Sequence, residues 1–183
     1  MEFLTAGWMP IVVSAFLVWI ASFLCHMILP HHKSEFRGLP NEDQFNETMG
    51  GVAPGLYMFQ YCNPKDMNDP EVKARMEKGP NGILTIWPGV VNMGQNLGLT
   101  LLFYLVVGAF VAYIFQFAVG DAVTYMDRFR IAAILAFMGH GLGWIPFVIW
   151  FRIGKFWPNL LDSIIFALLT AGTFAALWPH ATS

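Results

Sequence analysis

Apolar residues gather in four long runs separated by polar segments. The first run spans Trp8 to Leu29, the second about Asn96 to Val119, the third about Phe129 to Phe151 and the fourth about Leu160 to Trp178. About 20 mainly apolar residues in a helix cross a bilayer core of about 30 Å. Each run meets that length, and the first two contain no Asp, Glu, Lys or Arg. The third is interrupted by Gly139, Gly141, Gly143 and Pro146, so a broken helix is expected there. The pattern predicts an all-α integral membrane protein: a four-transmembrane-helix bundle with a partly helical extramembrane loop between helices one and two. Residues 1–183 are read as a single membrane domain carrying that structured loop over 30–95.

A cleaved signal peptide needs a basic n-region, a short apolar core and a small-residue cleavage site. The opening MEFLTAG has no Lys or Arg, and Pro30-His31-His32-Lys33 follows the run. The first run is therefore expected to remain as a helix.

The loop carries its own punctuation. Asn41 precedes Glu42 and Asp43, a helix start that the dipole favours, and Gly50-Gly51 ends it. Asp69-Pro70 opens a second helix and Gly79-Pro80 stops it. Between these, Leu56-Tyr57-Met58-Phe59 and Ile83-Leu84-Thr85-Ile86-Trp87 are too apolar for free solvent. Both are expected at the membrane surface or against a partner.

Composition agrees with the pattern. Of 183 residues, 12% are charged and 56% hydrophobic, against about 25% charged in soluble domains. Such a chain cannot cover itself with a water-facing surface, so the lipid bilayer is its expected solvent. A net charge of -2 gives no basic excess for nucleic acid. Cys25 lies in an apolar run and Cys62 in the loop, which argues against a disulfide between them.

Basic residues flanking the spans set the orientation. Lys33, Arg37, Arg152 and Lys155 lie on the loop side; Arg128 and Arg130 lie opposite, beside Asp121 and Asp127. That bias predicts a cytoplasmic loop and both termini outside.

Candidate chemistry rests on histidine. Ionisable groups inside a bilayer are costly and mark functional positions. His26 and His140 are the candidate axial ligands of a haem, but they differ in depth by roughly 10 Å at 1.5 Å per residue. His26, His31, His32 and Asp162 all fall near the loop-side boundary and form a candidate metal site, imidazole being suited to zinc, copper or iron. An ion pair between Asp162 and Arg152 is the competing reading, and a polar collar at the helix exit competes for His31 and His32. His180 falls just past helix four. For helix packing, Gly139 and Gly143 form a G-x-x-x-G pair facing a stripe of Ala167, Ala171 and Ala175. There is no phosphate-binding loop, H-E-x-x-H, G-x-S-x-G or cysteine cluster, and no catalytic residue is assigned.

Several runs together carry a likeness: His26-Met27-Ile28-Leu29-Pro30, His32-Lys33-Ser34-Glu35-Phe36, Leu39-Pro40-Asn41-Glu42, Pro54-Gly55-Leu56-Tyr57-Met58-Phe59, Lys78-Gly79-Pro80 and Leu169-Thr170-Ala171-Gly172-Thr173-Phe174. With these the chain resembles a family of small bacterial multi-pass membrane proteins with no assigned activity. The resemblance implies the topology and a bacterial source. The expected function is that of an accessory, non-catalytic membrane subunit of a larger complex in energy metabolism. A haem- or metal-binding redox protein is the alternative, and a small transporter or channel the third.

Overall fold

The computed structural model of the protein describes residues 2–120 and 123–179; Asp121 and His180 lie outside the described residues. Among the described residues, four helices are long and apolar enough to span a membrane: Phe3–Ile28, Met93–Ala118, Tyr125–Phe151 and Phe156–Leu177. All four begin three to five residues earlier than the apolar runs suggest. Hydrophobicity marks the lipid-matched stretch, whereas backbone hydrogen bonding carries each helix on past it.

The chain forms two compact units. The first comprises residues 1–36 and 93–183. Its helices are α1 (Glu2–Phe23), α4 (Met93–Ala118), α5 (Tyr125–Gly141), α6 (Ile145–Phe151) and α7 (Phe156–Leu177). Helix α1 packs against α4 and α7, and α5 packs most extensively against α7. Pro10 lies inside α1, a residue that spanning helices tolerate where neighbouring groups re-satisfy the backbone. The second unit, residues 37–92, holds α2 (Glu42–Met49), β1 (Gly55–Phe59), α3 (Pro70–Lys78) and β2 (Gly82–Ile86).

Two clusters fill the bundle. One joins Ile11, Val111, Ala112 and Phe115 to Ala132, Ala136, Ala167, Ala171, Phe174 and Trp178; the other joins Ala15, Val18 and Cys25 to Tyr104 and Phe166. Large apolar side chains such as Phe110, Phe117, Ile134 and Trp150 cover the outside, as lipid requires. At one end, Arg128 is buried and its Nη1 donates to the Trp178 carbonyl at 3.3 Å. It thereby serves one of the orphan acceptors at the end of α7.

One expectation changes here and one is met. The glycine pair does not pack as a unit. A Cβ on Gly139 would meet Val107 of α4 at 2.8 Å, whereas one on Gly143 would meet nothing within 4 Å. The close α5–α7 approach is built instead on Ala132 and Ala136 against the alanine stripe of α7. Helix three is two pieces, as its glycines and proline predict. It breaks after Gly141 and resumes at Ile145 with Pro146 in its first turn, where a missing N–H costs nothing. His140 therefore stands in the last turn of α5 rather than inside an unbroken helix.

Within the second unit, the two apolar runs of the loop pair with each other. β1 and β2 are antiparallel, with Tyr57 opposite Leu84. Their backbone groups are satisfied in the ladder, a partner the expectation of a bare surface segment left out. Asp69 Oδ1 accepts from Glu71 N at 2.8 Å and caps α3 as expected. Asn41 stands at the cap of α2 but makes no side-chain cap bond.

Candidate functional site

The end of the first span builds the site. Leu29 precedes Pro30, and the proline ring disfavours the α region for the residue before it. Leu29 is accordingly extended (φ -73°, ψ 145°). The last turn before it, Leu24–Ile28, is a π-turn closed by Leu29 N donating to Leu24 O at 2.9 Å. Such turns re-aim side chains and are frequent at functional positions. Here it presents Cys25 inward and leaves His26 half exposed. Pro30–His32 then forms one 3₁₀ turn that folds His31 and His32 back toward α7.

Asp162 meets them from α7. Its carboxylate is nearly fully buried, with a side-chain exposure of 6%. His31 Nε2 lies 2.8 Å from Oδ1 and His32 Nε2 2.9 Å from Oδ2. His26 Nδ1 lies 3.7 Å from Oδ2 and 3.0 Å from the Ser22 carbonyl. The rings of His26 and His32 stack at 4.4 Å, within 9° of parallel. The Cys25 thiol has ligand atoms of both His31 and Asp162 within 4.8 Å. Two triads of donor atoms, Cys25–His31–Asp162 and His26–His32–Asp162, each lie within 4.8 Å of one another.

A second carboxylate faces the other side of His32. Glu35 Oε1 is 2.9 Å from His32 Nδ1, close enough for an ion pair though off-line for a hydrogen bond. Glu35 is held in turn by the backbone N–H of Lys155, which donates to it at 3.2 Å, while Lys155 Nζ donates to Ser34 Oγ at 2.7 Å. His32 thus has a carboxylate at each ring nitrogen. A neutral imidazole has one N–H and can serve one of them. The arrangement calls for one more positive charge, either a second proton or a metal ion between Nε2 and Asp162. A histidine whose remaining N–H faces a carboxylate is also the usual outer-shell arrangement of a metal ligand.

The four residues proposed from sequence for a metal, His26, His31, His32 and Asp162, are therefore neighbours in space. Arg152 is not the partner of Asp162; it sits at φ 57° in the turn after α6, and the imidazoles take both carboxylate oxygens. Glu35 and Cys25 were missed in the sequence. The i,i+3 spacing of Glu35 from His32 was the available signal for the first, and only the π-turn turns the second inward.

The haem pair does not come together in this way. The His140 ring packs edge-on against Phe103, Tyr104 and Phe166, with Nε2 3.4 Å from Thr170 Oγ1. His26 instead stacks on His32. Three aromatic rings thus stand around His140.

Next to Asp162, Ser163 ties the broken third span to α7. Trp144 Nε1 donates to Ser163 Oγ at 3.0 Å, and that hydroxyl donates to Asn159 O at 2.7 Å. The wall behind the carboxylate is fixed by these bonds. A comparison with family models, with curated proteins and with solved structures finds no match for this chain.

Proposed function

We propose that this protein binds a transition-metal ion at one boundary of the membrane, with His26, His31, His32 and Asp162 as ligands and Glu35 orienting His32. The observation that carries the reading is the buried Asp162 carboxylate, whose two oxygens face separate imidazoles at 2.8 and 2.9 Å while Glu35 stands behind one of them. Three imidazoles and a carboxylate suit zinc, copper or iron rather than calcium or magnesium, which prefer all-oxygen shells. A purely structural clamp for the 30–36 segment needs one histidine on the aspartate, not three gathered around it.

The test is metal content. Protein purified in mild detergent without chelators is expected to carry at least one equivalent of zinc, copper or iron by plasma mass spectrometry, or to take it up on titration. A metal-free chain that binds none of them at micromolar concentration sinks the proposal and leaves a proton-mediated ion-pair clamp.

A second reading is favoured by a different observation. In the loop unit, Leu56, Met58, Trp87 and Val90 are all well exposed, Val90 fully. Apolar side chains so placed favour a protein partner or the lipid surface. In this reading the chain is an accessory subunit of a larger bacterial inner-membrane complex in energy metabolism, as the family it resembles would allow. Its loop is cytoplasmic and its termini outside. Purification from native membranes is expected to bring a core complex along in fixed proportion, and Cys62 to react with an impermeant maleimide only from the cytoplasmic face. A chain that migrates alone rejects the subunit role.

A further inference from the structure

The two oxygens of Asp162 do different work. Oδ1 faces His31, and Oδ2 faces His32 with His26 behind it. The donor triads divide the same way and share only this carboxylate. One is nitrogen–nitrogen–oxygen; the other adds the sulfur of Cys25, which is 2% exposed. A carboxylate offering its oxygens to two ligand sets is the usual bridge between two metal ions, which then sit about 3.5–4 Å apart.

We infer that the site holds two transition-metal ions bridged by Asp162, one on His26 and His32, the other on Cys25 and His31. This rests on the metal-binding reading and extends it to a number and a class. The thiol selects a zinc-like or softer ion at the second position, because hard cations avoid sulfur. Binding there forms a metal–sulfur bond and releases the Cys25 proton to solvent. At the first position, coordination through His26 Nδ1 replaces its bond to the Ser22 carbonyl. Asp162, Glu35 and the Cys25 thiolate supply the compensating negative charge, and water or hydroxide fills the open positions.

Cys25 lies in the apolar run and is no signal by itself. What marks it is the set of imidazole and carboxylate ligands gathered around it. The other thiol of the chain, Cys62, belongs to the loop unit and is removed in the test as a competing cobalt ligand.

The experiment is cobalt(II) titration of the full chain in detergent, carried out on Cys62→Ser protein. Two cobalt ions per chain are expected, together with a near-ultraviolet thiolate-to-cobalt charge-transfer band. Cys25→Ser is expected to lose that band and retain one ion. One ion with no thiolate band, bound in an Asp162-dependent way, overturns the two-ion inference and leaves the single-metal proposal standing. No bound cobalt overturns both. If Cys25→Ser elutes as aggregate, stoichiometry and band in the parent protein decide alone.

Discussion

Asp162→Ala is expected to strip the protein of bound metal. The carboxylate is the one group common to both donor triads, so its loss removes a ligand from each. Removal of an outer-shell partner alone typically costs 10–100-fold in metal affinity. Deleting a shared ligand is therefore expected to cost at least about 100-fold, or about 2.8 kcal/mol at 1.4 kcal/mol per tenfold. The variant also leaves His31 and His32 facing a gap in the buried wall. Leaving a buried hydrogen-bonding group without its partner costs about 1–3 kcal/mol, so the 30–36 turn loosens even without metal.

Two measurements separate these effects. Isothermal titration with zinc reads the affinity, and hydrogen exchange at Lys33 and Glu35 reads the turn, since their amides donate to Pro30 and His32 carbonyls. Arg152→Asn is the control. It removes the charge that the sequence offered to Asp162 while keeping a residue that tolerates a positive φ, and affinity is expected to stay within twofold. Equal losses in the two variants would contradict the imidazole assignment.

How much of this was legible beforehand differs by level. Span number and type were readable because lipid imposes one requirement, about 20 apolar residues, that nothing else in the sequence imitates. The break in the third span was readable from Gly139 to Pro146 for the same local reason. Pairing of β1 with β2 was not. Residues 60–81 and a helix lie between the two strands, and Leu56–Phe59 alone carries no address for Ile83–Ile86. At the site, placing His26, His31, His32 and Asp162 at one boundary needed only helix ends and counting. That Asp162 faces the imidazoles rather than Arg152 depends on the π-turn and on Pro30 reversing the chain. Arg152 itself is carried off by the left-handed turn that follows α6. Long-range electrostatic partners are decided by such turns, not by charge bookkeeping along the chain.

The packing motif teaches the converse. G-x-x-x-G promises a close helix contact but not which helix, because spacing fixes a face without naming its neighbour. The glycines at 139 and 143 sit on opposite sides of the point where α5 ends, so they cannot share one face. Gly139 went to α4; the α7 contact fell to alanines, whose single methyl also lets backbones approach.

Ala171→Leu is consequently the packing change expected to damage the bundle most. Ala171 is fully buried in the cluster that also holds Ala132, Ala136, Phe115 and Phe174, so the extra carbons have nowhere to go. Overpacking of this kind costs about 1–3 kcal/mol, and here the displaced element is a whole helix. Gly139→Ala is expected to cost less, since the Val107 side chain alone must yield and the helix regains up to about 1 kcal/mol of propensity. Gly143→Ala, with open space around it, is expected to lie within about 0.5 kcal/mol of the parent, as surface changes do. Unfolding in mixed detergent and SDS, followed by tryptophan fluorescence, orders the three variants. If Gly143→Ala proves as harmful as Ala171→Leu, the glycine pair is the true helix seam and the alanine contact described for α5 and α7 is wrong.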